Sequence, residues 1–516
     1  MTALLWLLPM TGSCGVAAPA PMGPLLCSGS RQGSAARSEP QKPSDEKITP
    51  EQAKALFRSV DQILQFASHE TELPILHPVK RRLTTRTEVE HYIQRQMKDD
   101  KDAARLESSE IVLKKFGLLP PGFQLQPFLV SLLTEQIAGY YDSKTKTVNL
   151  LDWIPPDDQK PVMAHELTHA LQDQHVDLEK WGDQGIDAAA ENVDEDNAHL
   201  QVDETDTARE AVAEGQAMVV FLDWGLAPKG ESLRKMPDLG PQLDTLDGDD
   251  AEPELKKAPL MLKESLLFPY REGLRFEQVV LKDEGAQKAF AGALDRPPST
   301  SWEIMNPRAW ERGAPPALLT MPDIHPLLGD DYTPYDVGAM GAFDVRVLTE
   351  QIAGQEAADE LTPAWDGGLY YAVQSRAAKT AAEKDTTKSV ALLYLSQWKT
   401  EDAAARFASI YAAGLKQKYK DVHLETQDAA QSNAAESVFT TEDGPVVIAT
   451  LGRGVFVSES FPLPLARRLE LLMMGTLHHS GEEQAHLRRR EAMPELGAGL
   501  AGVMDSFGLL RAGLPR

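Results

Sequence analysis

The sequence predicts a mixed α+β protein that is mostly helical up to about residue 330. Three observations carry this reading. Capped, amphipathic helical patterns recur from Thr49 onward. A short run of aromatic and β-branched residues around a polar turn, Gly139 to Leu151, marks a hairpin. From about Asp331, strand and helix patterns mix without strict alternation, as in α+β modules.

Taken in order, Thr49-Pro-Glu-Gln52 is a capping box with proline at the first helical position, and Leu56, Val60, Ile63, Leu64 and Ala67 set one apolar face. Ile75 to Leu83 is an extended piece interrupted by Pro78. Thr85-Arg-Thr-Glu88 opens a second capped helix to about Met97. Further helices are expected from Ala103 to Lys115 and, after Leu119-Pro-Pro-Gly122, from Pro127 to Ile137. The hairpin follows, and a strand there would offer backbone donors and acceptors to an extended peptide. Asp173 to Glu210 is densely acidic, with Asp194-Glu-Asp196 and Asp203-Glu204 spaced unlike a calcium loop, so a solvated helical insertion is expected. Ala208 to Phe221 is a good helix with Gly215 inside it, which would allow close approach of another helix or a ligand.

An apolar helix is expected from Leu260 to Phe268, running into Phe268-Pro-Tyr-Arg-Glu-Gly-Leu-Arg-Phe276 and a further helix to about Phe290, and then a Ser/Thr-capped short helix before Asn306-Pro307. Tyr270 and His325 are the polar residues of interest here. Beyond Asp331 the patterns predict helices from Asp336 to Ala353 and Ala357 to Leu361. Strands are expected at Trp365–Gln374 and Val390–Trp398. A Thr400-capped helix to about Tyr419, short strands between His423 and Glu459, and a closing helix from Leu465 to Leu477 complete this part.

Composition excludes several functions. A net charge of −26 on 516 residues repels phosphate backbones, so no nucleic-acid partner is expected. Cys14 and Cys27 are the only cysteines, so neither a disulfide framework nor a thiolate nucleophile serves the body of the chain. No apolar run reaches the roughly 18 residues of a membrane span. Residues 1–27 read as a signal segment: Ala3 to Leu8 is a short apolar core followed by small residues, though a positive flank is missing. Thr11-Gly-Ser13 before Cys14 is faintly like a lipoprotein site, so export with or without a lipid anchor is expected. The remaining organisation is a polar linker at 28–47 and a domain at 48–330 carrying the acidic insertion at 173–207. A C-terminal α+β module follows at 331–480, with a tail at 481–516.

The chemistry concentrates in Pro161 to His175, where His165, Glu166 and His169 form H-E-x-x-H. Residues four apart on a helix lie about 40° apart around the axis and about 6 Å along it. Two imidazoles so placed can grip one Zn²⁺, with the intervening glutamate able to reach a water there. Two readings complete the set. His175 gives H-E-x-x-H-x-x-Q-x-x-H, which resembles the metzincin pattern except that Gln172 stands for glycine. On a continuous helix His175 would lie about 9 Å beyond His169 and off its face. Alternatively, Glu210 or Glu214 on the Ala208–Phe221 helix reaches the same ion, since buried carboxylates need such compensation.

Ala213-Glu-Gly-Gln-Ala217 resembles the E-G-x-A helix of gluzincin metallopeptidases. Together with the hairpin and His165-Glu-Leu-Thr-His-Ala-Leu-Gln-Asp-Gln174, it makes the chain resemble a zincin of the gluzincin type, in an order used by a group of uncharacterised exported bacterial proteins. Further echoes are Phe268-Pro-Tyr-x-x-Gly273 and Pro298 to Pro307, where Asn306 stands in place of an expected histidine. The resemblance implies a zincin-like, mostly helical metallopeptidase domain with Zn²⁺ on His165, His169 and Glu214. In a thermolysin-like pattern, Glu210 would be the ligand and Glu214 its partner. It also implies hydrolysis of a peptide or protein substrate, with Glu166 activating water and Tyr270 a candidate oxyanion stabiliser. The competing expectation is an exported, metal-holding but inactive binding module, against which the intact Glu166 argues. The segment from His169 to Glu214 is longer than in the better-known gluzincins, so the insertion is expected to loop out.

Overall fold

A computed structural model describes residues 47–487 except 90, 92–99, 137–138, 183–191, 238, 240–252, 317–318 and 429–433. The signal segment, nearly all of the linker, the chain beyond 487 and the middle of the acidic insertion lie outside the described residues. So does the second capped helix past His91. The architecture is mixed α+β, with a three-stranded sheet, a seven-stranded sheet and helices between and around them.

The small sheet comprises β1 (Lys80–Thr84), β2 (Tyr140–Asp142) and β3 (Thr147–Leu151), in the order β1-β3-β2. β2 and β3 form the expected antiparallel hairpin, whereas β1 runs parallel to β3. A parallel pair needs a crossover, and the helices Asp100–Phe116 and Leu125–Gln136 lie within it. The first helix, Pro50–Thr71, starts on the Thr49/Gln52 capping box and buries Leu56, Val60, Ile63, Leu64 and Ala67.

The large sheet holds β4 (Tyr332–Ala339), β5 (Trp365–Ser375), β6 (Val390–Trp398), β7 (His423–Asp428), β8 (Ala434–Thr441), β9 (Gly444–Leu451) and β10 (Gly454–Glu459). Its order is β4-β5-β6-β10-β9-β8-β7, with every pairing antiparallel. Tyr370, Leu392 and Tyr394 pack on one face with the helices Asp100–Phe116 and Glu401–Lys418. Leu369, Leu393 and Phe456 pack on the other with the closing helix Leu463–Leu487. Burial on both faces explains why β5 and β6 read as nearly continuous apolar runs.

Packing crosses position 330. Phe116 meets Tyr370 and Tyr394 edge-on at 5.6 and 5.9 Å between ring centres. Beside it, the fully buried Lys115 donates to Ser460 Oγ at 2.7 Å, and Lys418 pairs with Glu459, which also accepts from Tyr411 at 2.6 Å.

Four expectations are corrected. Asp336 lies not in a helix but in β4, where β5 supplies a ladder partner and Asp336 accepts from the Tyr370 hydroxyl at 2.9 Å. The helix begins only at Ala342. The two helices expected on either side of Pro269 are one, which runs unbroken from Leu260 to Asp283. Burial of Leu266, Phe268, Leu274 and Phe276 outweighs the lost backbone bond, and a π-helical turn, Lys288–Gly292, follows. The acidic insertion is not simply solvated, for Asp196, His199 and Asp203 are buried. Asp203 accepts from the Ala339 N–H at 2.6 Å, and Asn197 accepts from the Met321 N–H at 2.7 Å, so this stretch packs beside β4. The closing helix continues to Leu487, past the expected start of the tail at 481.

Two helices meet at Gly215 and Gly273, Thr205–Leu226 and Leu260–Asp283. A Cβ on Gly215 would lie 2.3 Å from the Gly273 carbonyl, and one on Gly273 would lie 2.1 Å from the Ala211 oxygen. No side chain fits, so the backbones touch. Gly273→Ala must separate them and is expected to destabilise by about 1–3 kcal/mol or more. Gly122→Ala, with open space around its Cβ, is expected to stay within about 0.5 kcal/mol; thermal melts compare the two.

Glu277 lies on the same crossing helix, fully buried, and burial pushes its carboxyl well above the ordinary 4.5. The folded protein therefore keeps this proton while the unfolded chain releases it. The associated stability is full below the unfolded value and is lost as pH rises from about 4.5 through the raised folded value. Glu277→Gln is expected to flatten that decline, measured by denaturant midpoints across pH.

Candidate metal centre

The histidines sit on Pro156–Val176, a helix that opens at Pro156 and ends where Asp177 turns left-handed at φ 57°. From Val162 to Asp173 every residue is buried, so this helix runs through the core rather than over it. The Gln159 side chain ties its first turn to β3, accepting from the Leu151 N–H and donating to the Leu151 oxygen, each at 2.9 Å. Buried imidazoles and carboxylates in such a helix require compensation.

Compensation comes from Thr205–Leu226. Glu214 Oε2 lies 3.0 Å from His165 Nε2 and 3.6 Å from His169 Nε2, and the two Nε2 atoms are 3.0 Å apart. All three residues are buried, and among the described residues this is the one group whose ligand atoms converge as a metal would need. Nitrogen and oxygen donors around a tetrahedral ion stand about 3.3 Å from one another, given bonds of roughly 2.0–2.2 Å. The observed separations bracket that value, so the donor set fits such an ion.

Charge within the trio is strongly coupled. Burial lowers the His165 imidazole against the pull of Glu214. Burial also opposes the charged form of His169, but Glu214 raises it to about 9. Glu214 itself, despite burial, is held well below the ordinary carboxylate range by the two imidazoles. The raised His169 and the lowered Glu214 express the same demand for positive charge among facing lone pairs, whereas burial works against it at His165.

Glu166 is buried beside the trio. Its Oε2 accepts from the Tyr141 N–H at 2.7 Å, while its Oε1 is buried without a hydrogen-bond partner. Tyr141 belongs to β2, the edge of the small sheet, so that edge faces the site. The Tyr141 hydroxyl donates to Asp173 at 2.7 Å, and Lys146 closes on the same carboxylate at 2.8 Å. Tyr270 is buried with its ring nearly parallel to His165, 6.3 Å between centres.

The other residues singled out in the sequence lie elsewhere. His175 Nε2 faces Asp295 at 2.9 Å and is not part of the trio, as helix geometry requires. Glu210, one turn before Glu214, is not part of it either. His325 stands between Asp323 at 3.1 Å and Asp196 at 3.4 Å, and the Asn306 amide donates to the Trp302 oxygen at 2.8 Å. Three participants were not anticipated: the Tyr141 N–H, Gln216 and Gly273. A glutamine directly before the apolar run Ala217 to Leu222 was the available signal for Gln216.

No protein-family model, curated protein or solved structure matches the chain. Among the described residues, the geometry that could hold a metal ion is that of His165, His169 and Glu214. Equilibrium dialysis against zinc is therefore expected to give one equivalent for wild type, His175→Ala and Glu210→Gln, and none for Glu214→Ala.

Proposed function

We propose that the protein is a zinc-dependent peptidase of the gluzincin type, with a zincin-like domain, acting on a peptide or protein substrate outside the cytoplasm. The observation that carries this reading is Glu166. One of its oxygens is anchored by a backbone N–H and the other is buried and unpartnered, next to three converging ligand atoms. A site that merely stored a metal would have no use for a buried acid held in that way.

His165, His169 and Glu214 are the proposed zinc ligands. When bound, the ion supplies Lewis acidity, polarising a carbonyl and lowering the pKa of water. Glu166, fixed through Oε2 by Tyr141, presents Oε1 to take a proton from the attacking water and return it to the leaving amine. β2, the edge strand whose Tyr141 N–H holds Glu166, is the proposed place for an extended peptide to lie. Tyr270, alongside His165, is the candidate for steadying the developing oxyanion.

The test compares zinc-loaded wild type and Glu166→Gln on unfolded casein. Glu166→Gln should retain its zinc and lose about 10²–10⁴-fold in rate, the usual worth of a general base. Chelation should abolish the wild-type rate and added zinc restore it. A Glu166→Gln variant cleaving at the wild-type rate would sink the catalytic assignment. Zinc binding with no cleavage of casein or a peptide library would favour the binding-module reading instead.

A further inference from the structure

Gln172 occupies the position where the metzincin pattern has glycine, and its side chain is fully buried. The hydrogen bonds around it can be ordered from fixed backbone acceptors. Gln216 Nε2 donates to the oxygens of Ala289, at 2.9 Å, and Phe290, at 3.0 Å, both in the π-helical turn. That leaves Gln216 Oε1 as an acceptor, and Gln172 Nε2 donates to it and to the Ala213 oxygen, each at 2.9 Å. Gln172 Oε1 must then accept, and its partner is His169 Nδ1 at 2.8 Å. In the neutral imidazole of His169 the proton is thereby placed on Nδ1, leaving the Nε2 lone pair directed at His165 and Glu214.

We infer that Gln172, backed by Gln216, is a positioning residue that joins the two halves of the ligand set. One end of its amide fixes the tautomer of His169. The other clasps Ala213, the residue before Glu214, so the second and third ligands are set by a single side chain. This also accounts for the departure from glycine. Where glycine would let a helix break and return a ligand from its own chain continuation, glutamine keeps the helix intact and reaches across to the helix that supplies Glu214. The inference rests on the metal reading above, and its failure can be told apart from the failure of that reading.

The experiment uses full-length protein. Zinc affinity is measured by chelator competition and coordination by the cobalt(II) absorption spectrum, for wild type, Gln172→Met and Gln216→Met. Methionine keeps the approximate volume and removes the hydrogen bonds. Gln172→Met is expected to weaken zinc binding about 10–100-fold, as is usual for groups that orient metal ligands, and to alter the cobalt spectrum. Gln216→Met, which leaves the bonds to His169 and Ala213, is expected to weaken binding less. Wild-type affinity and an unchanged cobalt spectrum in Gln172→Met would overturn the inference while leaving the metal reading intact. A wild type that binds no zinc would remove both. Should Gln172→Met fail to fold, ¹⁵N-histidine spectra of zinc-loaded wild type decide. A protected Nδ1–H on His169 is expected, and a His169 that lacks it overturns the inference.

Discussion

Two imidazole nitrogens and a carboxylate oxygen turned toward one another inside a core, at 3.0 to 3.6 Å, repel unless positive charge lies between them. The rest of the arrangement serves to hold these atoms in that position. The histidine helix cannot relax outward, because it is buried from Val162 to Asp173. The glutamate helix cannot retreat, because its Gly215 is pressed against Gly273. A proton on His169 meets the demand only in part, since a single proton cannot bridge three donors. A divalent cation can, and the surrounding hydrogen bonds favour the ligand orientation it needs.

The close helix crossing and the polar centre are two aspects of one design. Glycine at both contact points lets the helix that carries Glu214 lie backbone to backbone against Leu260–Asp283, while Glu214, the residue before Gly215, meets a histidine on a third element. With any larger residue there, the two backbones would have to part right beside Glu214. The amides of Gln159, Gln172 and Gln216 play a matching role among polar groups. Each spans two elements and satisfies backbone or side-chain atoms that burial would otherwise leave unpaired.

Much of this was legible in the sequence where the determinants are local. The pitch of a helix places His165 and His169 on one face and sends His175 elsewhere, and the structure separates them accordingly. The capping box at Thr49 and the hairpin at Gly139 to Leu151 announce themselves within a few residues. What escaped depended on distant partners. Asp203 looks like a solvated carboxylate until the Ala339 N–H, 136 residues away, is found bonded to it. Asp336 lies in a stretch of helical spacing, yet β5 overrides local preference by offering a ladder. Pro269 marks a break on propensity alone, and only the buried residues on either side reveal that the helix continues. Gln172 read as a defect in a known pattern because its partners lie on another helix.

The parallel pairing of β1 with β3 has a consequence for how the chain can be divided. Within its crossover lies the helix Asp100–Phe116, whose Phe116 and Lys115 are covered by the large sheet and by Ser460. The small sheet that presents Tyr141 to Glu166 is therefore threaded through a segment that leans on the far end of the molecule. The strand-rich half is less an appendage than a foundation: it shelters the return path of the strand pair beside the candidate metal centre. Lineages that lost or replaced that half would have had to rebuild the crossover as well. Shuffling at residue 330 is thus a costly route for this architecture, and change is more readily absorbed at its exposed loops.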